Sequence, residues 1–142
     1  MTARPIIGVA VGDVVAKTTH TVTRESLVRY AGASGDFNPI HYRDDVAAAA
    51  GLPGVLAHGM LTAGLALQPV IDWLGDATRI LGYETRFTRP VVVDPDIGAV
   101  VDIIATAAHI DPETATARID LTVNCAGRAV LGKTRVLVSL AR

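Results

Sequence analysis

Two short segments carry the residues able to do chemistry. Ala33 to His41 reads Ala-Ser-Gly-Asp-Phe-Asn-Pro-Ile-His, and seventeen residues further on stands His58-Gly59-Met60-Leu61-Thr62. In the first segment Asp36 and His41 are five residues apart. An extended strand would point such a pair to opposite faces, whereas a bent loop can aim both at one point. Asn38-Pro39 supplies a bend, because proline fixes its own φ and pushes the preceding residue out of the helical region. Gly35 allows the chain a positive φ just before Asp36. A carboxylate and an imidazole that meet at one water make an acid/base pair, and histidine's ordinary pKa of about 6.5 suits that work near neutral pH.

The second segment supplies what such a pair needs. Gly59 opens an apolar run that reads as a helix, and the first N–H groups of a helix have no intrahelical partner and sit at its positive end. With no side chain in the way, a substrate carbonyl could approach the Gly59 N–H and an enolate oxygen be stabilised as it forms. An acid/base pair plus one oxyanion donor is the equipment for adding water to, or removing it from, an α,β-unsaturated thioester.

Each residue also has a plain structural reading. Asp, Asn, Pro and Gly dominate turns for local reasons. His58, just before a helix, could cap it or simply pack; Thr62, one turn in, could bond back to the helix. His20 and His109 lie in strand-like runs without partners at ligand spacing, so no metal site is expected. Arg86, Arg89, Lys133 and Arg135 could meet a phosphate, although charges on half-exposed strands are usually solvated. Cys125, on the apolar face of its run, reads as inert core.

The positioning elements follow from periodicity. Ile6 to Val22, with a Gly12-Asp13 turn signal, reads as an edge strand. Thr23 can cap a helix of about eight to ten residues that runs into Gly32, with Glu25 in its first turn and Leu27, Tyr30, Ala31 and Ser34 at helical spacing. Asp44 or Asp45 can cap a short alanine helix, Val46 to Ala50, ended by Gly51. From Gly59 to Leu74 apolar residues cover every side of a helical wheel, which predicts a buried central helix. Four strand-like runs follow: Ile80 to Val92, Ala99 to His109, Ala115 to Cys125 and Ala129 to Leu140. In the third, Ala117, Ile119, Leu121, Val123 and Cys125 alternate with polar residues, the mark of an antiparallel strand solvated on one side. Turns at Asp94-Pro95-Asp96, Asp111-Pro112-Glu113 and Ala126-Gly127 predict a meander whose apolar face is buried on the central helix, an α+β arrangement.

Composition sets the outer limits. A chain of 142 residues is the size of one domain, so a single domain over 1–142 is expected, long enough to bury about two-thirds of its unfolded surface. Half the residues are apolar but only 4% are aromatic, so the core must be aliphatic. The 13 basic and 14 acidic side chains nearly cancel and form no long run, which argues against a nucleic-acid partner. The N-terminal residues carry no leader-like apolar region and no apolar run approaches the ~20 residues that span a bilayer. No membrane partner and a cytoplasmic location are therefore expected. One cysteine excludes an internal disulfide.

Ser34-Gly35-Asp36-Phe37-Asn38-Pro39-Ile40-His41 with His58-Gly59-Met60-Leu61-Thr62 resembles the signature of the MaoC-like (R)-specific enoyl-thioester hydratases, the hydratase 2 type. More narrowly, the chain is similar to the catalytic β-subunits of the (3R)-hydroxyacyl-acyl-carrier-protein dehydratases of mycolic-acid elongation, from Val11-Gly12-Asp13 through Arg86-Phe87-Thr88-Arg89-Pro90-Val91 to the last strand. The resemblance implies a hot-dog fold, an antiparallel sheet wrapped around a long helix. It implies assembly as a homodimer, or as a heterodimer with a related hot-dog subunit, with the acyl chain in a tunnel near the interface. It also implies that Asp36 and His41 hold and activate the catalytic water, that Asn38 braces the loop and that the Gly59 N–H polarises the thioester carbonyl, with His58 and Thr62 in support. Water would add syn to a trans-2-enoyl thioester, or leave in reverse, with no metal or other cofactor beyond the CoA or acyl carrier protein bearing the substrate. In two places the chain departs from the family pattern: Leu67 stands where some members have a serine, and Val93-Asp94-Pro95-Asp96 lacks a Pro-Gly-Asp turn.

Two other readings compete. A hot-dog thioesterase, or the other dehydratase type, would place a carboxylate on the central helix, where the only acid is Asp72, near the far end. A silent accessory subunit of a mixed dehydratase would have lost the Asp or the His, and both are present.

Overall fold

The computed structural model describes residues 7–141. The chain enters through a turn in which the Asp13 carboxylate accepts from the Ala10 N–H, 2.8 Å. Strand β1 (Val14–Val22) starts only after that turn, so the expected strand is shorter at its front, and Ile6 lies outside the described residues. β1 is an edge, as expected, and pairs antiparallel with β3 (Ala99–Asp111).

Helix α1 (Arg24–Ser34) opens on a capping box in which the Thr23 hydroxyl accepts from the Ser26 N–H and Ser26 reciprocates. It passes through Gly32 instead of stopping there. A glycine inside a helix costs only ~1 kcal/mol, whereas Gly35, at φ 77°, takes the left-handed conformation that ends it, with its N–H on the Ala31 carbonyl. Helix α2 (Asp44–Ala49) begins two residues earlier than expected, and Asp44 and Asp45 lie in its first turn instead of capping it. The Arg24 and Arg43 guanidiniums engage them at 2.9 and 2.5 Å.

Helix α3 (Gly59–Leu74) has the expected bounds. Its buried face is Thr62, Ala63, Ala66, Pro69, Val70 and Leu74, and the small residues let it approach the sheet closely. Burial all round was expected, yet Met60, Gly64, Gln68 and Asp72, four residues apart, form an open stripe, since the sheet covers one side. Tyr83 of β2 (Ile80–Phe87) donates its hydroxyl to the Ala63 carbonyl, 2.7 Å, joining sheet to helix.

β4 (Thr116–Cys125), β5 (Arg128–Ala129) and β6 (Leu131–Ser139) complete the sheet, whose order is β1-β3-β4-β6-β2, with β5 on β4. The last three long strands form a meander, but β2 does not join it beside β3; it lies at the opposite edge, on β6. Pro90, which has no N–H to give a ladder, follows soon after Phe87 where pairing stops. The chain then crosses, Val92 bridging to Leu56 and Val93 donating to the Val55 carbonyl. The Asp94-Pro95-Asp96 turn exists, its carboxylate accepting from the Asp96 and Ile97 N–H groups at 2.8 and 3.0 Å, but it feeds β3 from this crossing segment. Val101, Ile103, Ala105, Ile119, Val123, Val136 and Val138 point inward as an aliphatic layer against α3. No helix among the described residues is long and apolar enough to cross a membrane.

Candidate active site

The segment after α1 is built from side chains bonding to nearby backbone. The Ser34 hydroxyl accepts from the Asp36 N–H at 3.1 Å, and Asp36 Oδ1 from the Asn38 N–H at 3.2 Å. Asn38 Oδ1 accepts in turn from the Ile40 N–H at 3.2 Å, capping a single 3₁₀ turn, Pro39–His41. Three successive turns of this kind bend the chain, the last of them held by the Asn38 side chain. The bend carries His41 inward, to 8% exposure, and leaves the Asp36 side chain half exposed.

His41 Nδ1 lies 2.7 Å from the Leu56 carbonyl oxygen. A carbonyl only accepts, so Nδ1 is the protonated nitrogen and, in the neutral ring, Nε2 holds the free lone pair. That nitrogen faces Asp36 Oδ2 at 3.8 Å, too far for a direct hydrogen bond and close enough for one water, seated to the side of the line joining them, to reach both. A water donating one hydrogen to each group would keep its own lone pairs free for attack.

His41, Gly59 and Thr62 line one open cleft of about 300 Å³, together with Leu56, Ala57, Phe87, Val91 and Val130. Gly59 is the first residue of α3 and presents its N–H where no intrahelical acceptor exists. The absent side chain is needed there, since a Cβ on Gly59 would lie 2.9 Å from Phe87 Cε1. Asp36 is not part of the cleft wall; it flanks His41. The sequence did not reveal Phe87 as a wall of the site; Arg89, read as a possible phosphate contact or a solvated charge, is exposed and borders the cleft with its guanidinium on the Ala129 carbonyl, 2.9 Å. Their place follows from the crossing after β2, which no local pattern reveals.

His58 lies behind the cleft, 1% exposed. It occupies the position before α3 without its side chain capping the helix; instead Nε2 reaches the Asp36 carbonyl at 3.1 Å. Asp36, His41 and His58 bring donor atoms within 4.8 Å of one another, a spacing a metal ion could use. The two imidazoles, however, are stacked 3.8 Å apart at 22°. Nearly parallel rings do not converge their in-plane lone pairs on one ion, and one nitrogen of each is already on a carbonyl. The arrangement therefore suits proton transfer better than metal ligation.

Comparison with known proteins shows the family of the chain. The sequence pattern of the MaoC like domain matches residues 9–124. The 3-hydroxyacyl-thioester dehydratase X of Mycobacterium tuberculosis is 39% identical over 80 residues, 56% of this chain and 28% of that protein. The 3-hydroxybutyryl-CoA dehydratase of Methylorubrum extorquens is 30% identical over 111 residues, 78% of this chain and 68% of that one. A solved MaoC-like dehydratase superposes with a TM-score of 0.93 at 34% identity, covering 98% of this chain but only 43% of its own length. The (R)-hydratase from A. caviae involved in PHA biosynthesis, at 23% identity, TM-score 0.82 and coverage of 93% and 97%, shares the hot-dog fold. This chain thus spans less than half of the first relative and of the first structure. By its matched pattern, its fold and its Asp-x-Asn-Pro-x-His turn, the chain belongs to the MaoC-like domain family.

Proposed function

We propose that the chain is an (R)-specific enoyl-thioester hydratase, working in reverse as a (3R)-3-hydroxyacyl-thioester dehydratase. The observation that carries this reading is His41 Nε2 facing Asp36 Oδ2 at 3.8 Å, with His41 lining the same cleft as Gly59. In hydration the water oxygen bonds to C3 of a trans-2-enoyl thioester while its proton passes to the Asp36/His41 pair. The electrons of the C2–C3 double bond move onto the thioester oxygen, which the Gly59 N–H stabilises, and C2 then takes a proton back. Hydroxyl and proton arrive from one side, so addition is syn; dehydration retraces the path. The chemistry asks for no metal or redox group, and the carrier is CoA or acyl carrier protein.

Assembly with a second hot-dog subunit, identical or related, fits the same reading. Phe37 in the catalytic turn, Tyr42 just after it and Met60 at the start of α3 are 60%, 46% and 64% exposed, and such large apolar side chains near a site suit a protein interface.

The test follows the loss of enoyl-thioester absorbance with crotonyl-CoA and longer trans-2-enoyl-CoAs. Asp36→Asn and His41→Ala are each expected to lower kcat by about 10²–10⁴-fold. Undiminished turnover in either variant removes that residue from the mechanism, and an inactive wild-type chain with every enoyl thioester removes the reading.

A further inference from the structure

His58 is a buried imidazole beside the site, 1% exposed, whose chemistry the proposed reaction does not use. Its Nδ1 is buried with no hydrogen-bond partner among the described residues. A side chain there only to fill space would be better apolar, because an orphaned buried nitrogen destabilises the fold. The imidazole then contributes through its other contacts, two of which lead to residues placed in the proposed reaction, Asp36 and His41. Nε2 lies 3.1 Å from the Asp36 carbonyl oxygen, an acceptor, so His58 donates there. One face stacks on His41 at 3.8 Å, and toward Tyr30 of α1 the rings are 4.7 Å apart and tilted by 60°. Its backbone carbonyl, whatever the side chain, accepts from the Leu61 and Thr62 N–H groups at 3.1 and 3.3 Å, so the ring is anchored on the first turn of α3.

From these contacts we infer that His58 is a positioning residue: it fixes the Asp36 backbone, the plane of the His41 ring and the leading end of α3 relative to one another, so that acid, base and oxyanion donor keep one geometry. The inference rests on the hydratase reading. His58 touches no reacting atom and acts through its neighbours. Its ring sits between α1 and the catalytic turn, so the separation of Asp36 Oδ2 from His41 Nε2 depends on it.

Two substitutions separate the roles of the ring. His58→Phe keeps a ring for the stack but removes the donor; His58→Gln loses the ring but places an amide N–H near the position of Nε2. In the purified full chain, His58→Phe is expected to lower kcat on crotonyl-CoA about 100-fold, since a displacement of ~1 Å at a catalytic group has that effect, with KM within about twofold of wild type. His58→Gln is expected to recover most of the lost kcat. Amide hydrogen exchange across residues 35–41 should rise in His58→Phe and return toward wild type in His58→Gln, a readout independent of turnover. Wild-type kcat in His58→Phe, unchanged exchange in that segment, or equal losses in both variants that track a common fall in thermal stability would each overturn the assignment. An inactive wild type with exchange responding as stated would remove the hydratase reading and leave the positioning role standing.

Discussion

At the scale of single residues, the cleft depends on atoms that are missing as much as on those present. Gly59 bears no Cβ where one would meet the Phe87 ring at 2.9, 3.0 and 3.3 Å. Gly59→Ala should leave α3 intact, since alanine is a good helix former, while Phe87 is forced to move within the cleft it lines. The N–H remains, but the new Cβ and the displaced ring hinder the approach of a substrate carbonyl to it, so kcat is expected to fall about 100-fold, as for a misplacement of ~1 Å, with a thermal midpoint near wild type, checked by steady-state kinetics and calorimetry on the same preparation. The proposed trio of Asp36, His41 and Gly59 was legible as a candidate because each member carries a local signature: an Asp and a His bracketing Asn-Pro, and a glycine opening an apolar helix. The His58 contacts were not, because stacking and a bond to a carbonyl twenty-two residues away leave no trace in spacing. Phe87 was missed for a similar reason, its place in the cleft being set by where β2 stops.

Elements bring those residues together, and two joints between elements are open to test. Gly98, at φ 73°, precedes β3, and a Cβ there would come within 2.4 Å of the Val22 carbonyl oxygen at the end of β1. Gly98→Ala therefore combines left-handed strain with a backbone clash, and should lower unfolding free energy by roughly 2–4 kcal/mol, measured as a shifted urea midpoint with an unchanged slope. The second joint is the bond from Tyr83 of β2 to Ala63 of α3. Burial pushes the Tyr83 phenol from 10.0 up to about 12. A folded pKa above the unfolded one means that the stabilisation is fully present below pH 10 and is lost as pH rises toward 12. Alkaline destabilisation between those values should accordingly shrink in Tyr83→Phe, read from denaturation midpoints across that range. Periodicity gave α3 its bounds and the third strand its inward face, but it could not give the neighbour of β2. Strand order depends on pairing between distant segments, and a turn such as Asp94-Pro95-Asp96 looks alike whether it closes a hairpin or ends a crossing.

For the whole molecule, charge and topology matter most. Several surface carboxyls are held below their ordinary range: Asp44 chiefly by the Arg24 hydrogen bond, Asp76 by the Thr78 hydroxyl, Asp94 by the Ile97 N–H and Asp111 by the Thr114 hydroxyl. Depressed carboxyls add stability above their unfolded value of 3.8 and lose it as pH falls through the folded values, so acid should weaken the fold below about pH 4. The proposed pairing with a second subunit predicts that native mass measurement gives twice the mass of one chain, or that a related subunit is needed to reach it. The strand order carries one more consequence. β1 pairs across a wide gap, Thr19 meeting Asp102 eighty-three positions on, and β2 must wait for β6. Neither outer strand can dock until most of the chain has emerged from the ribosome, and α3 stays bare meanwhile. Refolding should thus be slow for a domain of this size, on the order of milliseconds to seconds, and the nascent chain should depend on chaperones that cover greasy segments.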